Sequence, residues 1–237
     1  SFEYITALNN IFVACVNLKK NGTEKYIERA TRFYKSIPAR KITARINDTY
    51  INLLNNQVGF LLKKREGELA FDQCRTIQKT IIRQDYKFSN SIVTIFFTNY
   101  TVACMYNGKF REALKHHNTL LRYRSQFDTE SALLGLIIYF ELGEYDLLLY
   151  RVRAFRKQLK KFLPFDIFAD TIATALATTQ LQNASRSSRS DGFSKLQDTL
   201  TTRAIRKDTP LTNSTFDFDA WIDAQIKRPL NKIQGTK

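Results

Sequence analysis

Hydrophobic and polar residues follow each other along most of this chain with the period of an α-helix. In the clearest segment, Lys109 to Arg124, apolar side chains recur three and four residues apart, which places them on one helix face. The residues of that face are Phe110, Ala113, Leu114, His117, Leu120 and Leu121. The preceding run, Ser91 to Tyr106, is rich enough in β-branched and aromatic residues for a strand, but its length and spacing predict a buried helix. Asn107 and Gly108 are typical of a helix end.

A helix–glycine–helix unit of this kind recurs along the first two thirds of the chain. The turn glycines are Gly22, Gly67, Gly108 and Gly143, about 35 to 45 residues apart. Such a period predicts stacked helical hairpins, because a single hairpin cannot bury its own apolar stripe. We expect Gly108 and Gly143 to adopt positive φ at tight turns between antiparallel helices.

The pattern changes after Phe162. Further helices are predicted over Asp166 to Leu181, over Ser194 to Ile205 and around Trp221, with a polar loop from Asn183 to Gly192. The sequence thus predicts an all-α fold, with helical repeats over residues 1–163 and closing helices over residues 164–237 that continue the stack. Trp221 is expected to pack on the preceding helices, since the last repeat of an array must be shielded from water.

The segment from Thr98 to Leu121, TNYTVACMYNGKFREALKHHNTLL, resembles a tetratricopeptide repeat (TPR). The matching residues are the turn glycine, the aromatic residue two positions later and the alanine three positions after that, namely Gly108, Phe110 and Ala113. A weaker match over Thr129 to Phe155 has Gly143 and Tyr145, but Leu148 stands where alanine is usual. The resemblance implies an α-solenoid of TPR-like antiparallel helix pairs with extra C-terminal helices, and a protein-binding role.

The longer stretch from Phe127 to Ile226 is similar to the C-terminal part of an uncharacterised bacterial family of TPR-like proteins. The residues that carry this similarity are Tyr139, Glu141, Leu142, Tyr145, Phe155, Arg156, Leu159 and Trp221. That family has no assigned activity. The similarity therefore implies the fold and a bacterial origin, but no chemistry.

TPR first helices line a concave groove that often binds a peptide, and the resemblance places a set of residues on that face. These predicted partner-binding residues are Lys19, Lys20, Thr98, Val102, Tyr106, Glu130, Leu133 and Glu141. The alternative is a face that another segment of the same chain covers, or that a missing N-terminal part covers. Residue 1 is Ser and the amphipathic pattern is already present at Phe2, so we expect the chain to be a piece of a longer protein.

The chain is strongly basic, with a net charge of +15 over 237 residues. This charge suits nucleic acid, an anionic membrane surface or an acidic protein, and does not choose among them. The predicted polyanion-binding residues lie opposite the apolar face of one basic helix and are Arg153, Arg156, Lys157 and Lys160. A merely solvated face is the alternative. No apolar run reaches the roughly 20 residues that a membrane span needs.

The sequence offers little for catalysis or for cofactor binding. The two histidines, His116 and His117, are adjacent, so on a helix they point about 100° apart; we expect His117 in the core and His116 exposed. The three cysteines, Cys15, Cys74 and Cys104, are widely spaced and form no CxxC pair, which predicts free thiols in the reducing cytoplasm and no metal site. Phosphate-binding loops are absent from the sequence.

The favoured function is therefore that of a protein–protein interaction scaffold of TPR-like type, with no cofactor and no enzymatic activity. The alternative is a basic helical protein associated with nucleic acid. A concentrated positive stripe with interleaved exposed aromatic side chains would favour that alternative.

Overall fold

The computed structural model describes residues 2–83, 88–124, 126, 128–162, 167–181, 193–198 and 214–227. Every regular element in these ranges is helical, which confirms the predicted all-α class. The polar loop predicted from Asn183 to Gly192, and the second half of the helix predicted from Ser194, lie outside the described residues. The chain divides into two compact units, Ser1–Ser125 and Gln126–Lys237. The boundary predicted from the sequence, after residue 163, falls within the second unit.

The described helices of the first unit follow one another as pairs. The pairs are α1 (Phe2–Asn17) with α2 (Glu24–Ser36), α3 (Ala44–Lys63) with α4 (Gly67–Arg83), and α5 (Asn90–Tyr106) with α6 (Phe110–Tyr123). A single 3₁₀ turn, Ala39–Lys41, stands between α2 and α3. Helix α3 contacts α1, α2, α4 and α5, and α5 contacts α3, α4 and α6. The first helix of each later pair thus contacts both helices of the pair before it.

Aromatic rings and two buried amides connect these helices. Phe12 of α1 packs edge-on against Phe60 of α3, with ring centroids 6.0 Å apart. The amide of Asn99 on α5 donates to the main-chain carbonyl of Asn55 on α3 at 3.1 Å, and the Asn55 amide donates to the carbonyl of Ile92 at 3.4 Å. These two hydrogen bonds join α3 to α5 inside an otherwise apolar core.

The first helix of each hairpin ends in one recurrent motif. A residue one or two positions after the helix adopts positive φ, and the next N–H donates back across the last turn to a helix carbonyl at 2.9 to 3.0 Å. The residues with positive φ at these helix ends are Lys19 (52°), Arg65 (61°), Gly108 (67°) and Gly143 (74°). The prediction for the two glycines is confirmed. At the first two hairpins the helix ends before the glycine that the sequence indicated, because a lysine and an arginine adopt the left-handed conformation themselves.

Gly67 has a different role from that of a turn residue, since it is the first residue of α4. A Cβ atom added there would lie 2.9 Å from the Cβ of Tyr106, closer than real Cβ contacts come. The side-chain amide of Asn107 donates to the carbonyl of Gly67 at 2.9 Å. The absence of a side chain therefore lets the start of α4 pack directly against the end of α5.

The second unit is built on α7, which is apolar on nearly all sides. Its described helices are α7 (Thr129–Leu142), α8 (Tyr145–Phe162), α9 (Ile167–Leu181), the helical segment α10 (193–198) and α11 (Phe218–Lys227). Asp128 caps the start of α7: its carboxylate accepts from the N–H of Ser131 at 2.7 Å, and such a cap stabilises the first turn. Helices α7, α8 and α9 contact one another pairwise.

Trp221 on α11 packs against the preceding helices, as predicted. Its ring meets Phe140 of α7 edge-on at 6.0 Å and Phe193 of α10 edge-on at 5.5 Å. Gln197 of α10 also donates to Asp223 of α11 at 2.6 Å. The two C-terminal helical segments are therefore joined to each other and to α7 by both apolar and polar contacts.

Among the residues that the structure describes, no helix combines the length and the apolar character needed to cross a lipid bilayer.

Candidate functional site

The face of α7 that was predicted to bind a partner is covered by the chain's own C-terminal segment. Glu141 accepts hydrogen bonds from the indole N–H of Trp221 at 2.8 Å and from the side-chain amide of Gln225 at 2.6 Å. Glu130 accepts one from the hydroxyl of Ser214 at 2.6 Å. This is the alternative in which another segment of the same chain fills the groove. Its physical cause is that α7 needs apolar cover on more sides than α8 and α9 provide.

Two other predicted groove residues are not accessible at the surface. Val102 on α5 and Leu133 on α7 are both fully buried. Both helices are buried around most of their circumference, so counting back from the turn glycine selects core positions as readily as groove positions. A partner could contact neither side chain in this structure.

The remaining predicted groove residues lie in the first unit. Lys19 and Lys20 are exposed directly after α1, whereas Thr98 and Tyr106 on α5 are half-buried. The hydroxyl of Thr98 accepts a hydrogen bond from the guanidinium of Arg124 at 3.4 Å. The binding role of these four residues stays a prediction.

A surface that the sequence reasoning missed runs along α1. Its residues, which we call the α1 stripe, are Tyr4, Ala7, Ile11, Ala14 and Leu18, all exposed and spaced three or four positions apart. The opposite face of α1 is buried in the core. Exposed apolar side chains that form one continuous stripe indicate a binding surface more strongly than scattered ones do. The signal was present in the sequence, because α1 is apolar on both faces.

The cationic residues predicted on α8 divide into two groups. Arg153, Lys157 and Lys160 are exposed on one face of the helix. Arg156 instead pairs with Asp170 of α9, with Nε 2.9 Å from Oδ1, and also contacts Thr174. It therefore joins α8 to α9 and is not available to a polyanion in the way that the other three are.

An exposed tyrosine accompanies the three exposed cations of α8. Tyr150 is 66% exposed and lies on the same helix face as Arg153, Lys157 and Lys160. Its ring stands at the N-terminal end of this cationic row. An exposed aromatic ring next to a row of cations is the arrangement that single-stranded nucleic acids use for stacking and phosphate contact.

A further cluster forms where α5 meets α6. His117 is buried, as predicted, but the expectation of an exposed His116 is wrong, since this side chain is also buried. The buried arc of α6 passes through His116 and His117, while Leu121, which the sequence pattern placed on the apolar face, is exposed. The ring of His116 stacks on Tyr100 of α5, with centroids 3.8 Å apart.

Cys104, Glu112 and His116 bring three metal-ligating atoms together in this cluster. Cys104 Sγ, a carboxylate oxygen of Glu112 and an imidazole nitrogen of His116 all lie within 4.8 Å of one another. Burial raises the pKa of the Cys104 thiol to about 12, with the Glu112 carboxylate adding to this effect. Burial also lowers the pKa of His116, against the opposing influence of Glu112. Both groups are therefore neutral at pH 7.

The sequence reasoning overlooked this cluster because it searched for closely spaced cysteines. All three cysteines are free thiols; Cys74 and Cys104 are buried, and Cys15 is half-buried. The available signal was the pair Glu112 and His116, four residues apart on a predicted helix, with a cysteine on the other side of the Gly108 turn. Only the packing of α6 on α5 shows that the thiol and the imidazole meet.

Comparison of the chain with protein-family models, with curated proteins and with solved structures finds no match in any of the three.

Proposed function

We propose that this chain is a protein–protein interaction scaffold of TPR-like type, without enzymatic activity, that works in a bacterial cytoplasm. The paired helices of the first unit, in which α1, α3 and α5 follow one another, support this proposal. A solenoid arrangement of the hairpins is part of the proposal. Both histidines of the chain are buried, so neither is placed as an exposed general base.

The observation that carries the proposal is the α1 stripe. Ile11 is 43% exposed and Leu18, just after the end of α1, is 67% exposed, whereas Ile5, Leu8 and Phe12 on the other face of α1 are buried. Lys19 and Lys20 follow the stripe directly and are exposed. Apolar anchors with cations at one end fit an amphipathic helix that carries acidic residues beside its apolar face. We therefore assign the docking surface to α1 rather than to α7.

Labelled synthetic peptides test this assignment. Two amphipathic helical peptides share one apolar face and carry either glutamate or lysine on the polar face, and fluorescence anisotropy measures their binding to the whole chain. We expect the glutamate peptide to bind at least about tenfold more tightly than the lysine peptide, because Lys19 and Lys20 attract the former and repel the latter. The preference should weaken as salt rises.

A matched pair of variants locates the binding surface. Ile11→Asp should remove binding of the glutamate peptide, because it places a like charge in the middle of the α1 stripe. Ile95→Asp is the control, since Ile95 on α5 has the same 43% exposure but lies outside the stripe. Equal binding by the Ile11 variant and the wild type would refute the role of α1, as would an equal loss in both variants.

A second candidate function is binding of single-stranded nucleic acid through α8. The exposed ring of Tyr150 beside Arg153, Lys157 and Lys160 favours it. A cationic surface alone gives weak, salt-sensitive binding, whereas a dedicated site keeps binding at physiological salt and loses it without the aromatic ring.

The test is a titration of a labelled oligonucleotide at low and at physiological salt. The variants are Tyr150→Ser and a triple change of the three exposed cations to serine. Arg156 is left intact because its loss would break the pair with Asp170. Tight binding that survives physiological salt and falls in Tyr150→Ser would rank this function above the scaffold. Binding lost at physiological salt in the wild type would leave only nonspecific attraction.

A further inference from the structure

His116 contains a buried nitrogen that makes no hydrogen bond. The residue is 4% exposed, and its Nε2 has no hydrogen-bond partner. The Glu112 Oε1 atom lies 3.8 Å away, beyond hydrogen-bond distance. Nearly all buried polar atoms in folded proteins are hydrogen-bonded, so one that is not calls for a physical explanation.

The atoms around this nitrogen supply that explanation. We propose that Cys104, Glu112 and His116 bind a Zn²⁺ ion. A cysteine sulfur, a histidine nitrogen and a carboxylate oxygen are the ligand types of protein-bound zinc. The three atoms lie within 4.8 Å of one another, whereas ligands at zinc distances of about 2.0 to 2.3 Å stand roughly 3.5 Å apart. Binding therefore requires the Cys104 and Glu112 side chains to move closer to the imidazole nitrogen.

The backbone and the neighbouring rings hold these ligands in place. Glu112 and His116 are four residues apart on α6, so their side chains project from the same helix face. Cys104 belongs to the last turn of α5, and its carbonyl accepts the N–H of Lys109 at 2.9 Å across the turn between the helices. The imidazole lies against Tyr100 with an interplanar angle of 19°. Two ligands on one helix and a third across a tight turn form a site that needs little reorganisation.

The charges of the cluster also suit a divalent ion. Binding replaces the S–H bond of Cys104 by an S–Zn bond and releases that proton to solvent, with no change of oxidation state. The thiolate and the Glu112 carboxylate then carry two negative charges against the two positive charges of zinc, while the imidazole stays neutral. With three protein ligands, a fourth position remains for water or for a group of another molecule.

Glu112 provides the route by which the ion enters. Its side chain is 40% exposed, whereas that of His116 is almost fully covered. A hydrated ion can therefore meet the carboxylate first and lose water as it passes to the sulfur and nitrogen. The site is on α5 and α6 and includes no residue of the α1 stripe, so it stands independently of the proposed peptide-binding role.

Cobalt and zinc titrations of the whole chain test the site. The protein is stripped of metal with a chelator and titrated with Co²⁺, which reports thiolate coordination by a charge-transfer absorption band, and then with Zn²⁺. We expect one Co²⁺ per chain, a thiolate band that Zn²⁺ removes, and a rise in Tm on adding Zn²⁺. A wild-type protein that shows no thiolate band would overturn the proposal.

Four variants separate this site from nonspecific metal binding. Cys104→Ala should lose both the band and the zinc-dependent rise in Tm. Glu112→Gln should keep the band but bind at least about tenfold more weakly, and its partial exposure means that it should fold even if the first variant does not. Cys15→Ala and Glu68→Gln, changed outside the cluster, should match the wild type. A band that survives Cys104→Ala, or unchanged affinity in Glu112→Gln, would overturn the site.

Discussion

Helices α1 and α7 are both rich in apolar residues, but they are covered to different extents in the fold. Both are apolar around most of their circumference, and each is the first helix of its unit. In α7 the C-terminal segment covers the remaining face through Trp221, whereas in α1 the stripe that includes Ile11 and Leu18 stays exposed. An apolar helix face therefore does not identify a binding surface by itself. What matters is whether a distant part of the same chain returns to cover it.

Among the changes that test this difference between α1 and α7, replacement of Trp221 should have the largest effect on stability. Trp221→Ala removes the ring contacts with Phe140 and Phe193 and should lower the free energy of unfolding by about 3 kcal/mol, as for other large-to-small aromatic changes. Urea unfolding followed by circular dichroism measures it. Trp221→Phe, which keeps a ring, should lose less than half as much. A loss below about 1 kcal/mol in the alanine variant would mean that the segment covers α7 only loosely.

The carboxylate of Glu141 provides the next test of how the C-terminal segment is held on α7. Glu141→Ala removes the acceptor of both the Trp221 indole and the buried Gln225 amide, and should cost about 2 kcal/mol because donors are left unpaired. Glu144→Ala is the control, since this exposed glutamate lies just after α7 and outside the cover. The two variants are compared by urea unfolding. Equal stability of both would show that the hydrogen bonds to Glu141 contribute nothing to the covered face.

Substitutions at the C-terminal ends of α7 and α1 should change the stability of the protein in opposite directions. Gly143 ends α7 with φ 74°, and Gly143→Ala should cost about 1 kcal/mol, because an added Cβ meets only ordinary contacts and the loss comes from the left-handed backbone. Lys19 ends α1 with φ 52°, so Lys19→Gly should gain up to about 0.5 kcal/mol after the entropy of glycine is counted. Melting temperatures of both variants measure these changes, and shifts of the same sign would contradict the shared motif.

The sequence predicted local structure better than it predicted contacts between distant parts of the chain. The pattern identified the turns at Gly108 and Gly143, because apolar period and glycine are local signals. It could not indicate that Lys19 and Arg65 would adopt positive φ, since either residue is compatible with a continuing helix. The C-terminal cover of α7 follows from packing across some eighty residues of chain, which no periodicity records.

The site residues illustrate the same limit. The sequence indicated Arg153 and Arg156 as equivalent cations on α8, yet only the approach of Asp170 from α9 distinguishes them. Likewise, His116 was expected in solvent because its neighbour His117 fits the apolar stripe better. The sequence pattern predicts only the approximate direction of the apolar face of α6. Which residues at the edge of that face are buried depends on the orientation of α6 against α5.

The smallest expected effect on stability is at Leu18, and it bears most directly on function. Leu18 is 67% exposed, so Leu18→Ser should change the free energy of unfolding by less than about 0.5 kcal/mol, since it removes few contacts. The same change should weaken binding of the acidic amphipathic peptide, because it removes an apolar anchor beside Lys19 and Lys20. Urea unfolding and fluorescence anisotropy of one protein preparation measure the two quantities together. A docking surface requires this combination, since its side chains contact the partner and not the core. If Leu18→Ser destabilises the chain as much as Glu141→Ala does, then α1 is covered in solution just as α7 is, and the difference between the two helices disappears.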